Sequence, residues 1–377
     1  MPVLLLAAVD DVARRSAALG LLLDLPSVVV VTHDLVVGHD GGGAVRRTIT
    51  DRSGVLAEET TPLDHACLAC AVREDLLPTL QMLLNLDRWS TVAVSLPLTA
   101  APEPVAYEIG RAIGDGSLQG AVLASVVSLV DLATFEADLL GDELLDERGL
   151  AFGDYDRRSV GEAVAAQVEF ADDVVTVDRA SAAAETLLAH LVAPTSRLHV
   201  GWDSVAADHL VGVRHDTETA RRRMDPLQVQ PSSCRDEHGI WTVELSAHQP
   251  LDPGRLLRHV EALGSGRVRA RGHFWLASRP DVACVWDGSG GQLAIGHLGP
   301  WRQRRPGSRI VVTGSDPDDR RRIVDTFSRV LTTAADLSTA WASQLVDDGF
   351  TPWLGPLPTR TADRETVEDP SPRPSTD

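Results

Sequence analysis

The first half of the chain alternates short apolar runs with segments of helical periodicity. The clearest runs are PVLLLAAV at Pro2–Val9 and SVVVVT at Ser27–Thr32, and a helical segment lies between them. Runs that are apolar on both faces are typical of parallel strands that helices cover on either side. Further strands are predicted at Thr91–Leu96, Gly120–Val130, Asp173–Val177 and Arg197–Val200. The pattern therefore predicts an α/β domain with a doubly wound parallel sheet over residues 1–212.

The second half has a different pattern, in which predicted strands alternate polar and apolar positions between glycine-rich turns. Residues 239–346 are predicted to form a smaller α+β domain around an antiparallel meander. The charged, irregular segment 213–238 is interpreted as the linker between the two domains. In the first half, the polar and glycine-rich stretch Gly38–Gly54 predicts a loop or a weak hairpin. The Pro-, Ser- and Thr-rich residues 356–377 predict a disordered tail.

The charge balance is strongly acidic, with 54 acidic and 35 basic side chains and a net charge of −19. This balance excludes proteins that wrap nucleic acid by neutralising its phosphates, so no direct DNA binding is expected. The chain contains no lysine, which excludes mechanisms that need a lysine for phosphate binding or a Schiff base. Its four cysteines are too few for a disulfide scaffold, and no apolar run is long enough to span a membrane. The expected location is the reducing cytoplasm, without a membrane partner.

The segment HACLACAVREDL, at His65–Leu76, carries the most informative chemistry in the chain. Its Cys67 and Cys70 form a Cys-x-x-Cys pair before a predicted helix, and such a pair can bind zinc or perform redox chemistry. Alone, the pair is half of a zinc site, so His65 or a carboxylate would have to join it. Other side chains that could complete the site are Asp64, His33, Glu59, Glu74 and Asp75. Three interpretations stay open: a metal site, a redox pair, or a loop that no longer holds a ligand.

This segment resembles the Gly-Cys-x-Cys-Cys-Thr-Val-Arg-x-Asp-Leu motif of the CobW/YjiA-type P-loop GTPases, a family of zinc and cobalt metallochaperones. Cys67 and Cys70 match the outer cysteines of the motif, and an alanine replaces the middle one. The stretches GHFWLASR at Gly272–Arg279 and RIVVTGSDPDD at Arg309–Asp319 resemble the C-terminal domain of the same family. The resemblance covers roughly residues 1–345, and it implies a P-loop-NTPase-like domain followed by a CobW-like C-terminal domain.

The three nucleotide-binding elements of that family are all altered here. The first loop ends in Gly-Lys-Thr in the family, but Val9–Ser16 contains neither glycine nor lysine and places Asp10 and Asp11 where phosphates would bind. The acidic residue and the glycine that follow the third strand are missing from Ser95–Pro102, and the Asn-Lys-x-Asp motif is replaced at Thr176–Arg179. The resemblance therefore implies a pseudo-GTPase, which is not an enzyme and has no nucleotide cofactor.

An actinobacterial branch of the family has a similarly degenerate first loop and recruits a ribosome hibernation factor to the small ribosomal subunit during zinc starvation. Resemblance to this branch implies a non-catalytic regulator of translation whose partners are the ribosome and a hibernation factor. Two alternatives are a GTP-dependent zinc metallochaperone and a zinc-sequestering protein that uses only the Cys pair. The missing lysine and glycines of the first loop favour the recruiting protein over the GTP-dependent chaperone.

One group of arginines is a candidate for contact with RNA or a ribosomal protein. Arg267, Arg269 and Arg271 alternate along one predicted strand and therefore share one of its faces. Such a row is usually a solvated face, but the nearby Arg302, Arg304 and Arg305 would extend it into a local basic patch. We expect this patch to be the partner-binding surface of an otherwise acidic protein.

Overall fold

The structure, a computed structural model, describes residues 1–37, 43–63, 68–153, 155–178, 181–339 and 347–357. Its strands are β1 (Pro2–Ala8), β2 (Val28–Val37), β3 (Gly43–Asp51), β4 (Gly54–Pro62), β5 (Thr91–Ser95), β6 (Val122–Val130), β7 (Asp173–Thr176), β8 (Arg197–His199), β9 (Trp241–Ala247), β10 (Val268–Phe274), β11 (Val282–Ser289), β12 (Gln292–Pro300) and β13 (Ser308–Gly314). Its helices are α1 (Asp11–Asp24), α2 (Leu68–Ala71), α3 (Leu77–Leu86), α4 (Pro102–Gly114), α5 (Phe135–Leu140), α6 (Val160–Phe170), α7 (Ala182–Leu191), α8 (Ala207–Gly212), α9 (Thr217–Met224), α10 (Pro253–Gly264), α11 (Pro317–Val330), α12 (Ala334–Thr339) and α13 (Thr351–Leu354).

The first domain is built on an eight-stranded sheet in the order β4-β3-β2-β5-β1-β6-β7-β8. The six strands from β2 to β8 are parallel, and helices cover both faces, so the predicted doubly wound α/β fold is confirmed. Strand β1 shows why the fold forms: Val3 and Leu5 enter the core beneath α3 and α4, whereas Leu4 and Leu6 enter the core beneath α1 and α8. A strand with no polar position can be buried in this way only between two layers of helices.

Within Gly38–Gly54, where a loop or a weak hairpin is predicted, the structure has β3, the first arm of the hairpin β3–β4; residues 38–42 lie outside the described residues. Strand β3 pairs antiparallel with β2 over eight residue pairs, and β4 pairs with β3 along nearly its whole length. Strand β4 is the edge strand and is mostly exposed, which suits its glutamates and threonines, whereas β3 is largely buried or half-buried and still carries two arginines and two threonines. Their polar sequence therefore lacks the apolar signal by which the buried strands were recognised.

The second domain is a five-stranded antiparallel sheet in the order β12-β11-β10-β13-β9, which confirms the predicted α+β architecture. Helices α10 and α11 cover one face of this sheet, where Leu256 and Ile323 pack against Trp286 and Phe274. Both helices begin at an aspartate that caps the first turn, Asp252 for α10 and Asp316 for α11.

The predicted linker contains a regular element. Helix α9 lies within residues 213–238, and the Asp216 side chain caps it by accepting the N–H groups of Glu218 and Thr219. The predicted tail lies outside the described residues from position 358 onward. Within the described ranges, no helix is both long and apolar enough to cross a bilayer.

The two domains are joined through buried charges. Arg269 on β10 donates to both carboxylate oxygens of Glu169 on α6, at 2.7 and 2.8 Å, and the two side chains are 6% and 4% exposed. Arg271 donates to the same carboxylate at 2.6 Å, and Arg267 pairs with Glu136 of the first domain at 3.1 Å. This placement corrects the expectation that the three arginines form a partner-binding face, because they are engaged by the first domain of the same chain.

A glycine turn adds to this junction. The turn between β11 and β12 inserts against the first turn of α6, where the Ser159 hydroxyl donates to the Ser289 carbonyl at 3.2 Å. Gly290 adopts φ +57° there, and a Cβ on it would lie 2.4 Å from the Ser159 oxygen. Only glycine allows this close approach, so the glycine-rich turn read from the sequence is a docking element between the domains.

Candidate functional site

The cysteine segment follows directly from the edge hairpin. Strand β4 ends at Pro62, and α2 is followed by a π-helical turn over Val72–Leu76 that leads into α3. Pro78 is the second residue of α3, but the backbone is helical without a break from α2 through the π-helical turn into α3, so this proline lies inside a continuous helical segment directly after its π-helical turn. Single π-helical turns occur frequently at functional sites, which directs attention to the residues around this one.

Cys70 lies on α2 and is buried beside Val45 and Leu63. The Arg73 guanidinium donates to its Sγ over 3.8 Å, which places a positive charge next to the sulfur. The other two predicted ligands, Cys67 and His65, lie outside the described residues.

A buried polar network holds the π-helical turn against the sheet. The Asp75 carboxylate in the turn contacts His33 Nε2 on β2 at 2.6 Å, and the two side chains are 2% and 3% exposed. The other carboxylate oxygen accepts from Arg47 on β3 at 2.7 Å and from the Thr61 hydroxyl on β4 at 3.3 Å. One carboxylate therefore ties the segment that follows the cysteines to three strands.

The electrostatics of this network assign Asp75 a positioning role. Burial alone would raise the pKa of the Asp75 carboxyl, but the hydrogen bond and charge of His33 and the charge of Arg47 outweigh it and hold that pKa below its ordinary value. Because both of its oxygens are already engaged, Asp75 is not placed to bind a metal ion.

The other candidate ligands are placed differently. Glu59 pairs with Arg47, while Glu74 is exposed beside the π-helical turn. Among the described residues, no three His, Cys, Asp or Glu side chains are grouped as a metal site. A zinc site in this region would therefore need Cys67, with His65 or a carboxylate, in addition to Cys70.

Sequence reasoning named His33 and Asp75 as candidates near the cysteines but missed Arg47 and Thr61. Both of these residues lie on the hairpin β3–β4, whose polar sequence does not have the apolar pattern of a buried strand. The sequence feature that could have identified these residues is the alternation of polar positions along β3 and β4. When the two strands pair, this alternation places Arg47, Glu59 and Thr61 on one face of the sheet.

The turn after β1 is too short to hold phosphates. Strand β1 ends at Ala8 and α1 begins at Asp11, so only Val9 and Asp10 connect them. The Asp10 carboxylate accepts the N–H of Ala13 at 2.7 Å and so occupies a donor that an anion would need at this helix end. A cavity lined by Val9 and Asp10 measures about 10 Å³, which is room for no more than one water molecule.

Arg14 also lies at the N-terminal end of α1. Its buried guanidinium donates to Asp11 and to Asp34, both at 2.8 Å, and to the Leu96 carbonyl at 3.2 Å. Burial alone would raise the pKa of the Asp34 carboxyl, but the charge and hydrogen bond of Arg14 hold it below its ordinary value. The Asp10 carboxylate is therefore engaged by the Ala13 N–H and the Asp11 carboxylate by Arg14, and these residues do not fit a nucleoside triphosphate.

Comparison with known sequences supports the resemblance over both domains. The profile of the cobalamin synthesis protein cobW C-terminal domain matches residues 240–331, which span β9 to α11. The zinc chaperone Rv0106 of Mycobacterium tuberculosis is 30% identical over 325 residues, covering 82% of this chain and 76% of that protein. Zinc-regulated GTPase metalloprotein activator 1 of Dictyostelium discoideum is 25% identical over 268 residues, covering 65% of this chain and 55% of that protein.

One solved structure aligns with most of the chain. The Zn(II)-bound YjiA GTPase from E. coli covers 88% of this chain and 99% of its own, at 16% identity and a TM-score of 0.39. A likeness at this level bears on neither the detailed fold nor the function of the chain.

Proposed function

Because the chain belongs to the CobW family, we propose that it binds and hands on zinc without a nucleotide cycle. The observation that carries the proposal is the match over 82% of the chain to a protein named a zinc chaperone. In this proposal Cys67 and Cys70 supply the two thiolates, and His65 or a nearby carboxylate supplies a third ligand. Thiolate and imidazole are the donors that zinc prefers in proteins.

The local geometry supports a site that both holds and releases its cargo. Cys70 is buried and lies beside the Arg73 guanidinium, whereas the exposed Glu74 follows four residues later. The Asp75 network fixes the turn behind the cysteines to the sheet, so the sulfur of Cys70 has a defined position before metal arrives. A site with few protein ligands exchanges its metal more readily than a closed four-ligand site.

A zinc competition titration tests this proposal. We expect the Cys67→Ser/Cys70→Ser variant to bind zinc at least about tenfold more weakly than the wild type, because it loses both soft ligands. The measurement is competition with a chromophoric chelator, and Cys234→Ser is the matched control because Cys234 is an exposed cysteine elsewhere in the chain. Equal zinc affinity in the double variant and the wild type would remove the cysteine segment from the proposal.

The second part of the proposal is that no nucleotide takes part. We expect no saturable heat when GTP or GDP with Mg²⁺ is titrated into the protein by calorimetry. The reason is the two-residue turn after β1, whose Asp10 carboxylate and Arg14 ion pairs take the place of a phosphate cradle. A dissociation constant in the low micromolar range would overturn this part and favour a GTP-dependent zinc metallochaperone instead.

Recruitment of a hibernation factor to the ribosome stays a prediction from the resemblance. The basic face on which it depended is engaged within the chain, since Arg269 and Arg271 bind Glu169. The exposed Arg302 and Arg305 remain as the basic residues of that patch. Co-sedimentation of the protein with ribosomal subunits from zinc-starved cells is the measurement that decides this hypothesis.

A further inference from the structure

Two histidines lie next to each other at one edge of the first domain. His199 is the last residue of the edge strand β8, and His209 lies on α8. Their ring centres are 6.4 Å apart, and the ring planes are inclined by 60°. The cysteine segment follows β4, which is the opposite edge of the eight-stranded sheet. At about 4.8 Å per strand, the two edges are about 30 Å apart.

A buried carboxylate holds the ring of His199. Its Nε2 lies 2.9 Å from Oδ1 of Asp173, whose side chain is fully buried. Asp173 also pairs with Arg197 through two hydrogen bonds, at 2.7 and 2.6 Å, and it accepts the Ser125 hydroxyl at 2.6 Å. A carboxylate that is paired with a guanidinium is ionised and can only accept hydrogen bonds. Nε2 of His199 therefore carries the ring proton and donates it to Asp173.

The proton on Nε2 leaves the lone pair of neutral His199 on Nδ1. Within the described residues, no hydrogen bond engages that nitrogen. It is not one of the buried polar atoms that lack a partner, so it reaches solvent. Histidines that bind metal ions have this arrangement, in which a carboxylate or carbonyl holds one ring nitrogen and the other is left for the metal.

His209 offers a second imidazole from a fixed helix. Ala207 and Leu210 anchor α8 in the core of the first domain, whereas His209 is exposed, and its ring has no hydrogen bond or ion pair within the described residues. Two imidazoles on one zinc ion, with Zn–N bonds of about 2.0–2.1 Å, have ring centres roughly 5–6 Å apart. Rotation of the exposed His209 side chain covers the difference from the observed 6.4 Å.

The two imidazoles select the class of ion. Imidazole nitrogen suits zinc, nickel and copper, whereas magnesium and calcium prefer oxygen ligands. Two imidazoles are fewer ligands than the three or four of most zinc sites, so water completes the coordination of the metal. Binding is therefore expected to be weaker than at a site with thiolate ligands.

We propose that His199 and His209 form an open binding site for zinc and similar divalent ions, in which Asp173 orients His199. The proposal goes beyond the function proposed for the cysteine segment and does not rest on it, because the two places lie at opposite edges of the sheet.

Calorimetric titration of zinc into the Cys67→Ser/Cys70→Ser variant tests the proposal, because this variant lacks the thiolates of the cysteine segment. We expect saturable binding in the micromolar range. Adding His209→Ala should weaken this binding at least about tenfold, since one of two protein ligands is removed. The matched control is His248→Ala, which removes an exposed histidine of the second domain and should leave zinc binding unchanged. Urea unfolding should show equal stability of the two histidine variants, because both side chains are exposed.

Long-range proton–nitrogen NMR spectra of protein with isotope-labelled histidine identify the atom that binds. Signals of the two rings are assigned with the His199→Ala and His209→Ala variants. We expect zinc to shift Nδ1 of His199 to the position of a metal-bound nitrogen, while its Nε2 stays protonated on Asp173. Adventitious binding to an accessible ring has no reason to follow this pattern.

Three outcomes would overturn the proposal. One is the absence of saturable zinc binding in the Cys67→Ser/Cys70→Ser variant, and another is equal weakening by His209→Ala and His248→Ala. The third is zinc bound to His199 through Nε2, which would mean that Asp173 does not orient the ring. Failure of the cysteine segment to bind zinc would leave all three results unaffected, so the two proposals fail or stand separately.

Discussion

Replacing Glu169 with glutamine is expected to lower the free energy of unfolding by about 3–5 kcal/mol, the largest effect predicted for this protein. The Glu169 carboxylate accepts from Arg269 and Arg271, and both the carboxylate and Arg269 are buried between the domains. Without that charge, the buried Arg269 keeps only the half-exposed Asp287 as a carboxylate partner, and the partly buried Arg271 loses its ion pair. The measurement is urea unfolding followed by fluorescence of the eight tryptophans.

The matched control for this prediction is Glu136→Gln. Glu136 pairs with Arg267 across the same interface, but the two side chains are 34% and 49% exposed. Exposed pairs contribute at most about 1 kcal/mol, so the control should unfold nearly as the wild type does. If the two variants lose equal stability, the buried pair does not join the domains in the way described.

Acid should remove the stabilisation by the Glu169 carboxylate from the wild type as well. Burial alone would raise the pKa of Glu169, but the charges of Arg269 and Arg271 outweigh it and hold that pKa below its ordinary value of 4.5. A carboxyl whose pKa is lowered by folding stabilises the fold above its unfolded-state pKa, and this contribution is lost as the pH falls through the folded-state value. The difference between wild type and Glu169→Gln should therefore be full near neutral pH and shrink in acid below about pH 4.5.

Asp75→Asn is expected to cost about 3 kcal/mol of unfolding free energy and to loosen the cysteine segment. The substitution removes the charge that His33 and Arg47 share, and it leaves the Arg47 guanidinium, itself only 12% exposed, without its buried partner. Because Asp75 lies in the π-helical turn, the loss should propagate to α2 and raise the rate of Cys70 alkylation about tenfold under native conditions.

Cysteine alkylation resolved by peptide mass spectrometry separates this local effect from general unfolding. Cys284 is the internal reference, because burial in the second domain raises the pKa of its thiol to about 12 and keeps it unreactive. Glu59→Gln is the matched variant, since Glu59 pairs with the same Arg47 but is 63% exposed. Faster modification of Cys284 as well as Cys70 in Asp75→Asn would contradict a positioning role and indicate global destabilisation.

The architecture was largely predictable because burial on two faces leaves a continuous apolar run. Strands β1, β5 and β6 were recognised for this reason, and the aspartate before α10 marked a helix start through its capping chemistry. The hairpin β3–β4 was predicted only as a loop or a weak hairpin, because its strands carry many polar residues and lack a continuous apolar run.

The candidate site was predictable only in part. The Cys-x-x-Cys pair and the missing glycines after β1 are local features, and their chemistry can be read without a fold. The partners of Asp75 come from β2, β3 and β4, and no local pattern links His33, Arg47 and Thr61 to one carboxylate. Such a network depends on which strands pair and in which register.

The sequence by itself determined the fold class, the position of the cysteine segment and the absence of a lysine- and glycine-built phosphate loop. These properties follow from the identity and spacing of neighbouring residues. Only the tertiary structure decided what the arginine row of β10 does: Glu169 precedes Arg269 by 100 residues, and the sheet and α6 bring the two side chains together in a buried interface. The alternation of Arg267, Arg269 and Arg271 states that they share a face, but what covers that face depends on the docking of the two domains.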